Sequence, residues 1–166
     1  MMRLFIALPL DQTVDEQLGK IILLLKQKGG AVRWVAPKNI HMTLRFLGDT
    51  DESKVLGIRE VIDRHAAQFG TVSSQIDRLC VFPNLNRPNV IWVGLQEKAD
   101  LLAELANRIE GSVRELGFEP DRKPFKAHLT LGRVKDGRDL ASLTNFIRSY
   151  RLDPIPLKLD RIVLFK

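Results

Sequence analysis

The sequence His41-Met42-Thr43-Leu44 returns in the second half of the chain as His128-Leu129-Thr130-Leu131. Only 3 histidines occur, and two of them head this tetrad. Thr makes up 6 and Leu 25 of the 166 residues. Chance alone would put Thr at +2 and Leu at +3 after a given His about 0.5% of the time, and after two of three on the order of once in ten thousand. The tetrad therefore marks an internal repeat. A chain built this way must bring two similar units together, and a pseudo-twofold arrangement does so with one shared cleft.

The spacing fixes what each copy can do. His41 to Leu47 alternates polar and apolar residues and predicts a strand. Side chains on a strand point to opposite faces in turn, so His41 and Thr43 share one face while Met42, Leu44 and Phe46 occupy the other. The same rule puts His128 and Thr130 opposite Leu129 and Leu131. Each tetrad offers a polar pair to one side and an apolar row that can pack on a helix.

Around the tetrads, short strands alternate with amphipathic helices. Strands are predicted at Arg3–Leu8, Val32–Val35, within Thr71–Phe82, and at Val90–Leu95, Ala127–Val134 and Leu157–Phe165. Helices are predicted from Thr13, where Thr13-x-x-Glu16 has the form of a capping box, and at Ser53–Ala67, Ala99–Leu116 and Leu140–Tyr150. Gly48 to Asp51 and Pro83 to Pro88 read as loops. The long apolar runs of buried parallel strands are missing. The predicted class is α+β: two mostly antiparallel sheets related by pseudo-twofold symmetry around a central cleft, with helices outside. No linker or low-complexity stretch divides the chain, so residues 1–166 are expected to form a single bilobal domain.

The net charge of +6 favours an anionic partner. Basic residues recur near both tetrads, as Arg33, Lys38 and Arg45 and as Arg122, Lys123, Lys126 and Arg133. No segment reaches the roughly 18 apolar residues of a membrane span. Leu4 to Leu10 runs into Asp11, Asp15 and Glu16 without a small-residue cleavage site, so it reads as a strand rather than a secretory leader. A cytoplasmic location without an obligate protein partner follows as the default. The lone Cys80, inside Leu79-Cys80-Val81-Phe82, reads as a buried structural thiol. His65, in a helical stretch, has no catalytic context.

Two imidazoles facing one cleft can divide acid and base work near neutral pH, since an unperturbed ring titrates near ~6.5. One takes a proton from the nucleophile and the other gives one to the leaving oxygen. Two Thr hydroxyls can hold the non-bridging oxygens of a phosphoryl group. This predicts phosphoester chemistry with neither metal nor cofactor. A zinc site would need further Asp, Glu or Cys ligands at fitting spacing, and the sequence has no His-Glu-x-x-His or Cys-x-x-Cys.

Four blocks, in order, resemble the 2H phosphoesterase family, and within it the bacterial and archaeal RNA 2′,3′-cyclic phosphodiesterases first described as 2′-5′ RNA ligases. They are Arg3 to Leu8, Asn39 to Gly48, Val90 to Leu95 and Pro124 to Arg133. The resemblance implies a metal-independent enzyme that opens a terminal 2′,3′-cyclic phosphate on RNA to a 2′-phosphate. By that pattern His41 gives a proton to the leaving 3′ oxygen and His128 activates water. Thr43 and Thr130 hold the phosphate, Phe5 stacks on the terminal base, and Arg133 helps hold the nucleotide. Two other readings stay open: 2′-5′ joining of tRNA halves as the main activity, and a non-catalytic RNA- or nucleotide-binding module. Chains of that branch usually continue past the strand that closes this sequence, and often carry proline where this one has Ala127.

Overall fold

Both tetrads lie on strands, and those strands belong to different sheets. The computed structural model describes residues 1–166. Its elements run β1 (Met2–Pro9), α1 (Gln12–Lys26), β2 (Ala31–Trp34), β3 (His41–Thr50), α2 (Val55–Phe69), β4 (Val72–Phe82), β5 (Val90–Leu95), α3 (Ala99–Glu115), β6 (His128–Asp136), α4 (Ala141–Ser149), β7 (Ile155–Leu159) and β8 (Val163–Phe165). A three-stranded sheet has the order β3-β1-β8, and a five-stranded sheet the order β2-β6-β5-β4-β7. Every pairing is antiparallel.

The two halves interlock. β2, from the first half, pairs with β6 in the larger sheet, and β8, from the second half, pairs with β1 in the smaller one. Helices cross over in the same way: α1 packs behind β7, whereas α3 packs behind β3 and against α2. One cluster of 36 buried apolar residues joins the layers. Met42, Leu44, Leu129 and Leu131 are all within it, as the alternation predicts.

The repeat extends to an irregularity in the backbone. Along β1 and β3, Ile6 faces Arg45 but Ala7 faces Thr43, so Leu44 is an extra residue. Along β5 and β6, Ile91 faces Gly132 but Trp92 faces Thr130, so Leu131 is the extra one. A β-bulge thus falls on the last residue of each tetrad. Bulges kink a strand and re-aim the side chains that follow. Here the bulge inverts the alternation beyond each tetrad.

This inversion overturns part of the predicted face assignment. Phe46 is not part of the apolar anchor: it is 61% exposed, while Arg45 is only 8% exposed. Arg45 turns away from the cleft to pair with Glu110 of α3 and to donate to the carbonyls of Phe46 and Glu119. It locks β3 to α3 and to the segment after it, and is not a cleft cation.

Other boundaries differ for local reasons. α1 begins at Gln12 with Asp11 at its N-cap and no side-chain capping bond, so Thr13 and Glu16 form no capping box. β3 runs on to Thr50 through Gly48, whose φ of +71° lets the strand kink at a second register shift rather than end. The predicted last strand is two, β7 and β8, which belong to different sheets.

Candidate active site

β3 and β6 approach each other where the two sheets meet. On the small sheet, His41 lies opposite Pro9, Thr43 opposite Ala7, and Phe46 opposite Phe5, which in turn faces Phe165 of β8. On the large sheet, His128 lies opposite Gly94, Thr130 opposite Trp92, and Arg133 opposite Val90. Phe46 and Arg133 each stand five residues after their histidine. The bulges bring both onto the faces that carry the histidines and threonines.

The structure puts five of the six predicted site residues, His41, Thr43, His128, Thr130 and Phe5, half-buried along these faces, with Arg133 exposed beside them. His128 Nδ1 is 2.7 Å from the Lys126 carbonyl. A carbonyl only accepts, so Nδ1 carries the proton and Nε2 is left for a ligand. The Asn39 carbonyl, also two residues before its histidine, makes a looser counterpart on His41. Thr50 and Thr144 satisfy their hydroxyls on backbone carbonyls. Thr43 and Thr130 have no such partner, so both hydroxyls are available to a ligand.

The surroundings of the rings differ. His41 is stacked on Phe5 at 4.8 Å and on Phe165 at 5.2 Å between ring centres. It opens onto a hollow of about 430 Å³ that Asp15, Lys38 and Lys166 also line. Burial lowers the His41 pKa from its ordinary 6.5, while the Asn39 carbonyl works the other way. His128 meets Phe82 and Trp92 edge-on, at 5.5 and 5.9 Å. Lys126 holds its ammonium 4.6 Å above the Phe82 ring and 5.2 Å above Trp92. The His128 pKa is also lowered, first by burial and then by the charges of Arg133 and Lys126, against the bond to the Lys126 carbonyl.

Gly94 explains how further charge reaches this side. A Cβ there would sit 2.7 Å from Arg78 Nε and 2.9 Å from the Trp92 ring. Without one, the Arg78 side chain lies across β5 and donates to the Leu95 carbonyl. Arg33 faces Arg133 across the β2–β6 pair. Cys80 is opposite Trp92 and is half-buried rather than buried. Burial pushes its thiol pKa up, despite Arg78 and Lys126 nearby, so it stays protonated. His65 lies elsewhere, 2.8 Å from the Ser112 hydroxyl.

Sequence reasoning missed Phe165, Phe46, Phe82, Trp92 and Arg78. Equivalence at the fifth position after each histidine could have paired Phe46 with Arg133. Nothing in the spacing of Phe165 signals that the last strand returns to β1. No three His, Cys, Asp or Glu side chains converge in a way that could hold a metal ion, and no helix is long and apolar enough to cross a membrane.

Comparison with known proteins agrees with the repeat. The family model described as LigT like Phosphoesterase matches twice, over residues 8–92 and 93–166, with one tetrad in each match. A relative from Archaeoglobus fulgidus, named RNA 2′,3′-cyclic phosphodiesterase, is 38% identical over 149 residues, 90% of this chain and 81% of that protein. A Thermotoga maritima relative of the same name is 32% identical over 164 residues, 99% of this chain and 86% of the relative. The crystal structure of a Thermus thermophilus protein, TT0787, matches with a TM-score of 0.78 and 25% identity, over 98% of this chain and 87% of that one. With both halves of the chain matched, one tetrad in each, the protein belongs to the LigT-like phosphoesterase family.

Proposed function

We propose that this chain is an RNA 2′,3′-cyclic phosphodiesterase. Water attacks the phosphorus opposite the 3′ oxygen, the new P–O bond forms as the P–O3′ bond breaks, and a 2′-phosphate remains beside a free 3′ hydroxyl. His128 Nε2 takes the proton from water, and His41 returns one to the 3′ oxygen. Thr43 and Thr130 donate to the non-bridging oxygens as their charge builds. Phe5 stacks on the terminal base and Arg133 holds the nucleotide.

The observation that carries this reading is the matched pair of bulged strands, each holding a half-buried His and an unpaired Thr hydroxyl on one face. Asymmetry supports the proton roles. A base must be neutral before reaction, and Arg133 and Lys126 disfavour a charged His128. No cation shifts His41, and a bound phosphate anion would favour its protonated form. The names of the relatives support RNA as the substrate class. Residues 1–166 would act as one unit in the cytoplasm, without metal or cofactor.

The test is incubation with an oligonucleotide ending in a 2′,3′-cyclic phosphate, with and without EDTA. A 2′-phosphate product at an unchanged rate in EDTA is expected. A 3′-phosphate product, or loss of activity in EDTA, would sink the reading. Microscopic reversibility lets the same groups join a cyclic phosphate to a 5′ hydroxyl, with tRNA halves one candidate pair. Supplying such an end together with the cyclic phosphate measures that direction.

A further inference from the structure

Arg87, Lys135 and Arg148 come from three separate segments: the β4–β5 loop, the end of β6, and α4. They line one groove of about 750 Å³. None of them is in an ion pair, whereas Arg45, Arg108, Arg114 and Arg138 each bond a carboxylate. Asp136 at the groove edge is already taken, since Arg138 donates to it from both its backbone N–H and its guanidinium. Asp139 is the one acidic group left there. Folding has therefore gathered free cations in a concave site, where their field is focused on an incoming anion.

The groove wall is held in place. Asn84 Oδ1 accepts from the backbone N–H groups of Asn86 and Arg87, each at 3.0 Å, which presents Arg87 on an Asx turn. The Asn89 N–H donates to the Phe82 carbonyl at 2.7 Å, and the Val134 N–H donates to the Asn89 carbonyl at 2.8 Å. The loop is thus anchored to β4 and β6. A preset shape with free donors loses little on binding.

The groove starts on β6 at Val134, the residue next to Arg133. Lys135 is two residues beyond Arg133 on β6; it is the extra residue of a bulge against β2, and it and Arg133 are both exposed, with the half-buried Val134 between them. Thr130 and Lys135 are separated by at most about 16 Å of strand, a span of a few nucleotides in extended RNA. We propose that this groove binds the phosphodiester backbone of the RNA strand a few nucleotides 5′ of the cyclic phosphate. The physiological substrate is then an oligonucleotide end rather than a cyclic mononucleotide. Arginine forks match phosphate oxygens, and the lysine adds a point charge. Backbone contacts carry no sequence information, so the gain depends on length and tolerates sequence. The inference rests on the cleft being the site of cyclic-phosphate opening.

The test is a triple variant, Arg87→Gln with Lys135→Gln and Arg148→Gln, assayed on a 2′,3′-cyclic mononucleotide and on a hexanucleotide with the same end. The wild type is expected to prefer the hexanucleotide. The variant should raise its KM by at least ~10-fold and flatten its salt dependence by roughly two units of slope. Turnover of the mononucleotide should stay unchanged, which also shows that the variant folds. Equal effects on both substrates, or none on the hexanucleotide, would overturn the proposal. If the wild type opens neither substrate, the catalytic reading fails by itself. Direct titration with labelled hexanucleotide still tests the groove: weaker binding by the variant supports it, and equal binding overturns it. Displacement of the hexanucleotide from the wild type by polyglutamate as readily as by unlabelled RNA would also overturn it, since the groove would then favour an acidic polypeptide equally.

Discussion

His41 lies against two phenyl rings, whereas His128 lies edge-on to a phenyl ring and an indole, with the Lys126 ammonium over both. The backbones beneath them match: a carbonyl two residues before the ring, a Thr two residues after it, and a bulge on the following Leu. Repetition supplied two equivalent places for an imidazole, and the side chains around each place made them unequal. Asn39 and Lys126 occupy the same position before their histidines, one neutral and one charged. Phe46 and Arg133 occupy the same position after them, one aromatic and one charged. A symmetric scaffold whose two rings sit in unequal surroundings, with cations that disfavour a charged ring acting on His128 alone, is what separate acid and base roles require.

The comparison breaks most severely if either ring is removed. His41→Ala and His128→Ala should each lower kcat by at least ~10² in a steady-state assay on a cyclic-phosphate-ended oligonucleotide. A variant with an unchanged rate would drop out of the mechanism. Next in size are Thr43→Val and Thr130→Val, which keep shape but lose the hydroxyl donor. Each should lower kcat by about 10- to 100-fold. A loss confined to KM would assign the hydroxyl to ground-state binding instead.

Smaller changes sharpen the asymmetry. Lys126→Met removes one cation that disfavours a charged His128, leaving Arg133 and Arg78 on that side. The His128 pKa should rise, and the acid limb of kcat/KM should move to higher pH while the alkaline limb stays. Phe165→Ala admits water to one face of His41, so its pKa should rise toward the ordinary 6.5. Here the alkaline limb should move up and kcat fall only a few-fold, while Phe165→Leu should restore the wild-type profile. Movement of the opposite limb in either variant would contradict the assignment of roles.

The repeated tetrad, its strands and the apolar anchors Met42, Leu44, Leu129 and Leu131 are legible in the sequence because alternation is a local property. The bulges are not. An extra residue is defined by the strand opposite, and neither Leu44 nor Leu131 differs from an ordinary core leucine. Alternation alone therefore assigns Arg45 and Phe46 to the wrong faces, and Arg133 is placed only through family resemblance. Phe165 is hidden for a related reason. Leu157 to Leu159 alternates and Ile162 to Phe165 is apolar, which together suggest one strand, and only the tertiary fold divides the segment at 160–162 between two sheets. The charge pattern of the far groove is legible only once Arg87, Lys135 and Arg148 are brought together.

The central claim is that one site divides proton transfer between the two halves of the chain. The pH dependence of kcat/KM in wild type, His41→Ala and His128→Ala tests it most directly. Both free-enzyme pKa values are lowered from 6.5, so the wild-type curve should be a bell centred on the acid side of that value. A base must be unprotonated and an acid protonated, so His128→Ala should lose the acid limb and His41→Ala the alkaline limb from their residual rates. Both limbs persisting in both variants, or each variant losing the other's limb, would contradict the account.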